Sequence, residues 1–388
     1  MTGKRQSNCL GLLIASILIF AIPSDAFSFQ LFAKDYVRID LKGYYKNLLT
    51  ISETILKEDY YSDLNRLRFE FDISLASKLS AKIAYDHDLI FGSILDTNEF
   101  AILKDQGADT YYKLDAVLAD RSEIYWRHSF YRLYLRYTEE KMSLTVGRQR
   151  IALGVGKIWN PEDIINPSNP LSIEREERAG SDAIQADFHL GTFSGTSFIY
   201  ARKESEHDFV IKPKTNFKGY DISALTGLFG KKSVIGFDFS GYIGDSGLRG
   251  EGTYTFYPER RNFFRSDLSW DYTFPNSFYI LLEYFYNGGN IRNSGSLNQL
   301  SGEISTRNRN FLGINIGYDI TPLIRFDTLS IWDMDGNTIF INPSVKYNVF
   351  EGIDWFDWLS GVQLFMGKPD GEYDKLPNLY HTQIQWYF

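Results

Sequence analysis

The segment Asn378-Leu-Tyr-His-Thr-Gln-Ile-Gln-Trp-Tyr-Phe388 decides the fold. Side chains alternate across a pleated strand. Tyr380, Thr382, Ile384, Trp386 and Phe388 therefore share one face, and His381, Gln383 and Gln385 share the other. An apolar face backed by a polar one over about ten residues fits a wall with hydrocarbon outside and water inside.

The same rhythm recurs along the chain. Val37, Ile39, Leu41, Gly43 and Tyr45 oppose Arg38, Asp40 and Lys42, and Leu67, Phe69, Phe71 and Ile73 oppose Arg66, Arg68, Glu70 and Asp72. Leu79, Ala81, Ile83 and Tyr85 leave Lys82 on the far face, and Tyr131, Leu133, Leu135 and Tyr137 oppose Arg132 and Arg136. Helical periodicity is nearly absent. Soluble sandwiches also alternate, but their strands usually stop at about five or six residues. Aromatic residues make up 16% of the chain, and beyond the first residues no apolar run is long enough for a membrane helix. The expected fold is all-β: one transmembrane antiparallel up-and-down β-barrel over residues 27–388.

At the start, Lys4 and Arg5 precede the apolar run Leu10 to Ile22, followed by Ser24-Asp25-Ala26. This pattern reads as a cleaved secretion signal over residues 1–26. The single cysteine, Cys9, falls inside it. The mature chain would then have neither disulfides nor cysteine chemistry. A net charge of -8 speaks against nucleic acid as a partner. No cofactor and no metal are expected. Asp333-Met-Asp335-Gly336-Asn337 resembles the opening of a calcium loop, yet its twelfth position is Ser344, and the same residues suit a tight hairpin.

Short joints at 76–77, 139–140, 190–191, 230–231, 274–276, 320–322 and 350–356 interleave with longer ones near 48–61, 90–122, 150–180, 204–219, 287–306 and 368–377. Treating Gly247 to Tyr257 as an upper hairpin arm gives about 16 strands. Fourteen and eighteen stay open, because residues 244–262 divide in more than one way.

A cylinder of that size holds water unless something plugs it, so diffusion of small hydrophilic solutes is the default expectation. Arg38, Lys42, Arg66, Arg68, Lys82, Arg132 and Arg136 have lumen parity on the first four strands. Such a basic wall would draw anions. The same strands carry Asp40, Glu70, Asp72, Asp86 and Asp88, so an internally paired polar lining fits as well. The connection 150–180 holds Trp159, Asp163, three prolines and Glu174-Arg175-Glu176-Glu177-Arg178. Loops of this length are usually functional or disordered, and fixed proline angles favour a compact shape. It is expected to tuck into the pore as a constriction loop, with Glu174, Glu176 and Glu177 facing the basic wall. A rigid cap over the mouth is the alternative.

The last segment resembles the closing strand of bacterial outer-membrane barrels, in which a terminal aromatic residue, here Phe388, is an assembly signal. Val146-Gly-Arg-Gln-Arg-Ile151, followed by Trp159 and an acidic loop, resembles the alginate-export-type porin family, as do Asp271-Tyr-Thr-Phe274 and Glu283-Tyr-Phe-Tyr-Asn287. That resemblance implies a porin channel in the outer membrane of a Gram-negative bacterium. Its partners would be membrane lipid, lipopolysaccharide, the barrel assembly machinery and small hydrophilic solutes, anionic ones among them. Arg148 and Arg150 carry over as pore residues. Strict alternation from Leu144 and Val146 instead puts Arg148 outside, where it would hold lipopolysaccharide phosphate, unless Gly147 begins a bulge. A lipid hydrolase using His128 and Ser129, and an adhesin using the 90–122 loop, are the rival classes. Adjacent strand residues face opposite ways, which argues against the hydrolase. Oligomeric state stays open.

Overall fold

The computed structural model describes residues 29–34, 36–105, 110–167, 169–174, 180–258, 261–290, 306–348 and 355–388. The expected signal at 1–26 and the residues Arg175, Glu176, Glu177 and Arg178 lie outside them.

The strands are β1 (Phe29–Lys34), β2 (Val37–Glu53), β3 (Asp59–Ser74), β4 (Leu79–Phe91), β5 (Asp115–Arg121), β6 (Ile124–Glu139) and β7 (Met142–Gln149). There follow β8 (Ser181–His189), β9 (Gly195–Arg202), β10 (His207–Phe217), β11 (Tyr220–Phe229), β12 (Lys232–Ile243), β13 (Ser246–Phe256) and β14 (Phe263–Thr273). The last are β15 (Tyr279–Asn287), β16 (Asn310–Thr321), β17 (Ile324–Asp333), β18 (Thr338–Asn348), β19 (Phe356–Gly367) and β20 (Leu379–Tyr387).

Each strand pairs antiparallel with its neighbours, and β2 pairs β20 from Tyr44↔Tyr387 to Ser52↔Leu379, which closes the ring. Two strands stand outside that ring. β1 pairs only β2, below the end of β20, and β5 pairs only β6, beside the stretch that β7 leaves uncovered. The closed barrel therefore has 18 strands.

This corrects the count of sixteen. The segment 204–219, read as one outward loop, contains β10, and Lys218 and Gly219 form a two-residue turn with φ of 52° and 86°. Such a turn demands positive φ at both positions. Consequently Gly230–Lys231, read as a joint at the lower end, the end that carries Phe388, lies at the upper end. Gly247 to Phe256 belongs to a full wall strand, β13, and not to a hairpin arm above the wall. Pro213 hid β10, since proline is rare within a paired strand. The ladder to β11 skips Lys212 and Pro213.

Alternation along the wall holds. Phe209, Phe237, Leu268, Tyr284, Trp332 and Ile384 are exposed on the outer face, as a lipid-facing band requires. Inside, His381 and Gln385 of β20 are buried. The upper inner wall departs from a wet lining. Val210, Leu225, Phe229 and Val234 pack with Ile151, Leu153, Ile164 and Ile165, while Leu281, Phe285, Phe311 and Phe340 pack with Ile158 and Trp159. The 150–167 connection supplies the covering side chains, so it lies within the barrel.

Candidate pore constriction

Gly147 turns the chain inward. Its φ of 123° is a left-handed conformation, and a Cβ there would strike the Leu133 carbonyl. Val146 before it is exposed, while Arg148 and Gln149 after it are both buried. Arg148 is thus turned inward, against strict alternation, which put it outside; the ladders to β6 and β8 run unshifted through Gly147, so its left-handed φ and not an inserted bulge residue reverses the phase. Arg148 grips Asp182 through Nε at 2.9 Å and Nη2 at 3.0 Å, and Nη2 also donates to the Tyr112 carbonyl. Arg150 is exposed.

From Ile151 the loop follows the inner wall, and two wall carboxylates latch its backbone. Glu283 accepts N–H groups from Lys157 at 3.0 Å, Ile158 at 2.9 Å and Trp159 at 2.7 Å. Glu251 accepts those of Val155, Gly156 and Glu162. A loop without regular structure has unpaired N–H groups to satisfy, and a buried carboxylate supplies strong acceptors. Trp159 stacks on Phe285 with centroids 5.3 Å apart, so it anchors the loop in an apolar niche instead of facing the lumen. Asp163 is likewise internal, accepting the Asn166 N–H at 3.2 Å.

Glu162 meets Lys212, which also holds Asp238 at 2.6 Å. Burial, with Asp238 competing for the same ammonium, pushes the Glu162 carboxyl up to about 9. An acid raised in the folded state binds its proton more tightly there than when exposed, so its penalty is absent below 4.5 and grows as pH rises toward 9. Loop-derived current noise in bilayer recordings is expected to increase across that window in the wild type and to become flat in Glu162→Gln.

Farther on, Gln363 donates to the Leu171 carbonyl at 2.8 Å, and Glu174 receives Lys46 at 2.8 Å and Arg66 at 2.9 Å. The connection thus touches β10, β13, β15, β19, β2 and β3 before rejoining β8 at Ser181.

The basic residues are mostly paired. Arg38 meets Asp40, Lys42 meets Asp72, Lys82 meets Glu70 and Asp72, Arg66 meets Asp88 and Arg68 meets Asp86. Arg132 donates to the Tyr131 carbonyl and Arg136 to Thr145. Arg66, Arg127, Arg148, Asp86, Asp88 and Glu174 border a cavity of about 260 Å³, which Ser129 also lines. His128 instead contacts Tyr85 on the outer face, so His128 and Ser129 do not form a nucleophile and base pair. At the 333–337 hairpin the carboxylates serve backbone N–H groups: Asp333 takes Gly336, and Asp335 takes Arg309 and Asn310. Among the described residues no cluster of three or more metal-ligating side chains occurs.

Lys46, Lys212, Glu251, Glu283 and Gln363 were not singled out as site residues by sequence reasoning. One signal was present: Glu283 is the sole charge in the apolar run Phe278 to Tyr286.

No family model and no curated protein matches the chain. Solved barrels resemble it along nearly its whole length. Acinetobacter baumannii OccAB1 superposes with a TM-score of 0.57, at 12% identity, over 93% of this chain and 99% of its own. Pseudomonas aeruginosa OccD3 (OpdP) does so at 0.57 and 10% identity, over 97% of each chain. For Pseudomonas aeruginosa OccK8 (OprE) the values are 0.57 and 8%, over 90% of this chain and 98% of its own. At such identities the likeness is one of fold: this chain shares the closed barrel architecture of Occ/OprD outer-membrane porins.

Proposed function

We propose that this protein is an outer-membrane porin of a Gram-negative bacterium, passing small hydrophilic solutes through a lumen narrowed by residues 150–174. The observation that carries this reading is the latched loop inside a closed 18-stranded ring. A cylinder that wide holds water, and an internal loop fixed at several points narrows it while leaving the wall intact. Pore-lining roles fall to Arg66, Arg68, Arg132 and Lys46 around the loop, and to Arg38, Lys42, Lys82 and Arg136 lower down. Phe388 keeps its proposed role as the signal to the barrel assembly machinery.

The kinship with alginate-export-type porins rests on the Val146 to Ile151 motif, whose two arginines differ. Arg148 is tied to Asp182, and Arg150 alone is exposed. A broad lean to anions is therefore a better reading than a dedicated sugar path. Planar-bilayer conductance tests the porin reading, since a structural barrel or adhesin without a path would pass no current.

The Glu174 carboxylate neutralises Lys46 and Arg66 together. Replacing it as Glu174→Gln removes one negative charge from the narrow section, leaving Lys46 without this carboxylate while Arg66 keeps Asp88, and low-dielectric walls strengthen the resulting positive field. The reversal potential in a salt gradient is expected to move toward anion selectivity. A move toward cations, or none, would reject this assignment of the narrow section.

A further inference from the structure

The outer face of β4 and β6 carries a feature that a passive lipid-facing wall does not need. His87 and His128 are cross-strand partners. Both face outward: Asp86 and Asp88 on either side of His87 pair with Arg68 and Arg66 inside, and Arg127 and Ser129 on either side of His128 border the inner cavity. Their rings stack with centroids 6.1 Å apart, within a patch of Tyr85, Trp126 and Phe130.

Hydrogen bonding fixes what this pair presents. The Trp126 indole N–H lies 3.3 Å from His87 Nδ1. Indole only donates, so His87 Nδ1 is the acceptor and the proton of the neutral ring sits on Nε2. The Tyr85 hydroxyl lies 2.7 Å from His128 Nδ1; a hydroxyl can give or take this bond, so it holds the ring without assigning the His128 proton. Among the described residues neither Nε2 has a hydrogen-bond partner, and neither is a buried orphan. His87 therefore presents an Nε2–H outward, with the His128 Nε2 beside it. The β5 neighbours of His128 and Trp126 are the small residues Ala116 and Ala119. The His87 N–H disfavours a metal, which needs a bare ring nitrogen, and calls for an oxygen acceptor. N–H groups facing hydrocarbon would be left without partners.

We propose that His87 and His128 form a docking site for the phosphate of an outer-leaflet lipid, with the acyl chains lying along the aromatic patch. Both residues sit four positions from the upper end of their strands, which places them near the headgroup layer if the upper end faces outward. The proposal rests on the outer-membrane reading above. Trp126 acts as a positioning residue, setting which ring nitrogen of His87 carries the proton, and Tyr85 holds the His128 ring.

The test counts bisphosphorylated lipid A retained by the purified full-length barrel, using native mass spectrometry, with dephosphorylated lipid A as the comparison. Wild type is expected to hold the phosphorylated lipid about tenfold more tightly than the His87→Phe/His128→Phe variant, the effect of losing one to two modest hydrogen bonds. Trp126→Phe should give an intermediate loss, because it frees the His87 tautomer while leaving both imidazoles. A His128→Gln variant retains an N–H donor and should recover part of the difference. Equal retention by wild type and the double variant would overturn the proposal, as would equal binding of the two lipids by wild type. Displacement of the lipid by millimolar inorganic phosphate would overturn the lipid assignment in favour of the free anion. Conductance of the same preparations keeps the two readings apart: conducting variants without a lipid difference defeat this site only, and a silent wild type defeats the porin reading.

Discussion

Replacing Glu251 and Glu283 together by alanine is expected to raise single-channel conductance severalfold and to blunt ion selectivity. The two carboxylates accept six backbone N–H groups from residues 155–162. Leaving a buried donor without an acceptor costs roughly 1–3 kcal/mol. Against this stand the apolar contacts of Ile158 and Trp159, worth roughly 1.5–3 kcal/mol each when fully buried. Within residues 155–162 six orphaned donors outweigh these two buried side chains, so that stretch gains by leaving the wall and letting water reach its backbone, while Ile151, Leu153, Ile164 and Ile165 hold its flanks. Either single replacement leaves three latching bonds and the Trp159 niche, and should give a noisier channel of nearly normal size. Trp159→Ala removes the stacking on Phe285 but none of the latches, and falls between these cases. Unchanged conductance and reversal potential in the double variant would mean that the loop does not set the narrow section.

The wall was legible in the sequence because its cause is local. Each outward residue answers to lipid and each inward one to water, so alternation at 37–45, 67–73 and 380–388 gave strand and face together. Two devices defeated the strand count. Pro213 broke the β signature of β10, and Lys218 took the left-handed position that glycine or asparagine more often holds. The loop's course was hidden for a different reason. Its partners lie 89 to 192 positions away in sequence, at Glu251, Glu283 and Gln363, and no local pattern ties a glutamate to a distant backbone. What the chain did show was a failure of alternation. Leu281 and Phe285 interleave with Ile280, Leu282, Tyr284 and Tyr286, making both faces of β15 apolar. An inward leucine in a wet barrel requires a cover, and the connection at 150–180, with three prolines, is the longest of the proline-bearing ones.

Gly43→Val is expected to prevent stable closure of the barrel, read as loss of the compact, heat-modifiable form on denaturing gels. Gly43 exchanges backbone hydrogen bonds with the last residue: its N–H donates to the Phe388 carbonyl at 2.8 Å, and the Phe388 N–H donates to its carbonyl at 3.0 Å. The Phe388 ring lies over the glycine, packed against Phe69 and Trp386 at centroid distances of 6.1 and 5.5 Å. A Cβ at residue 43 would stand 2.7 Å from that ring and would collide with the Arg68 carbonyl of β3. The ring can swing away, but the carbonyl belongs to the ladder and cannot. Overpacking alone costs about 1–3 kcal/mol, and here it falls on the one seam joining the chain's last strand to its first wall strands. Phe388→Ala tests the other half of the contact. It gives up ring burial without a clash, so the assembled barrel should close, with lower stability and lower assembly yield. If Gly43→Val closes as readily as wild type while Phe388→Ala fails, the aromatic ring itself, not its fit over the glycine, governs the seam.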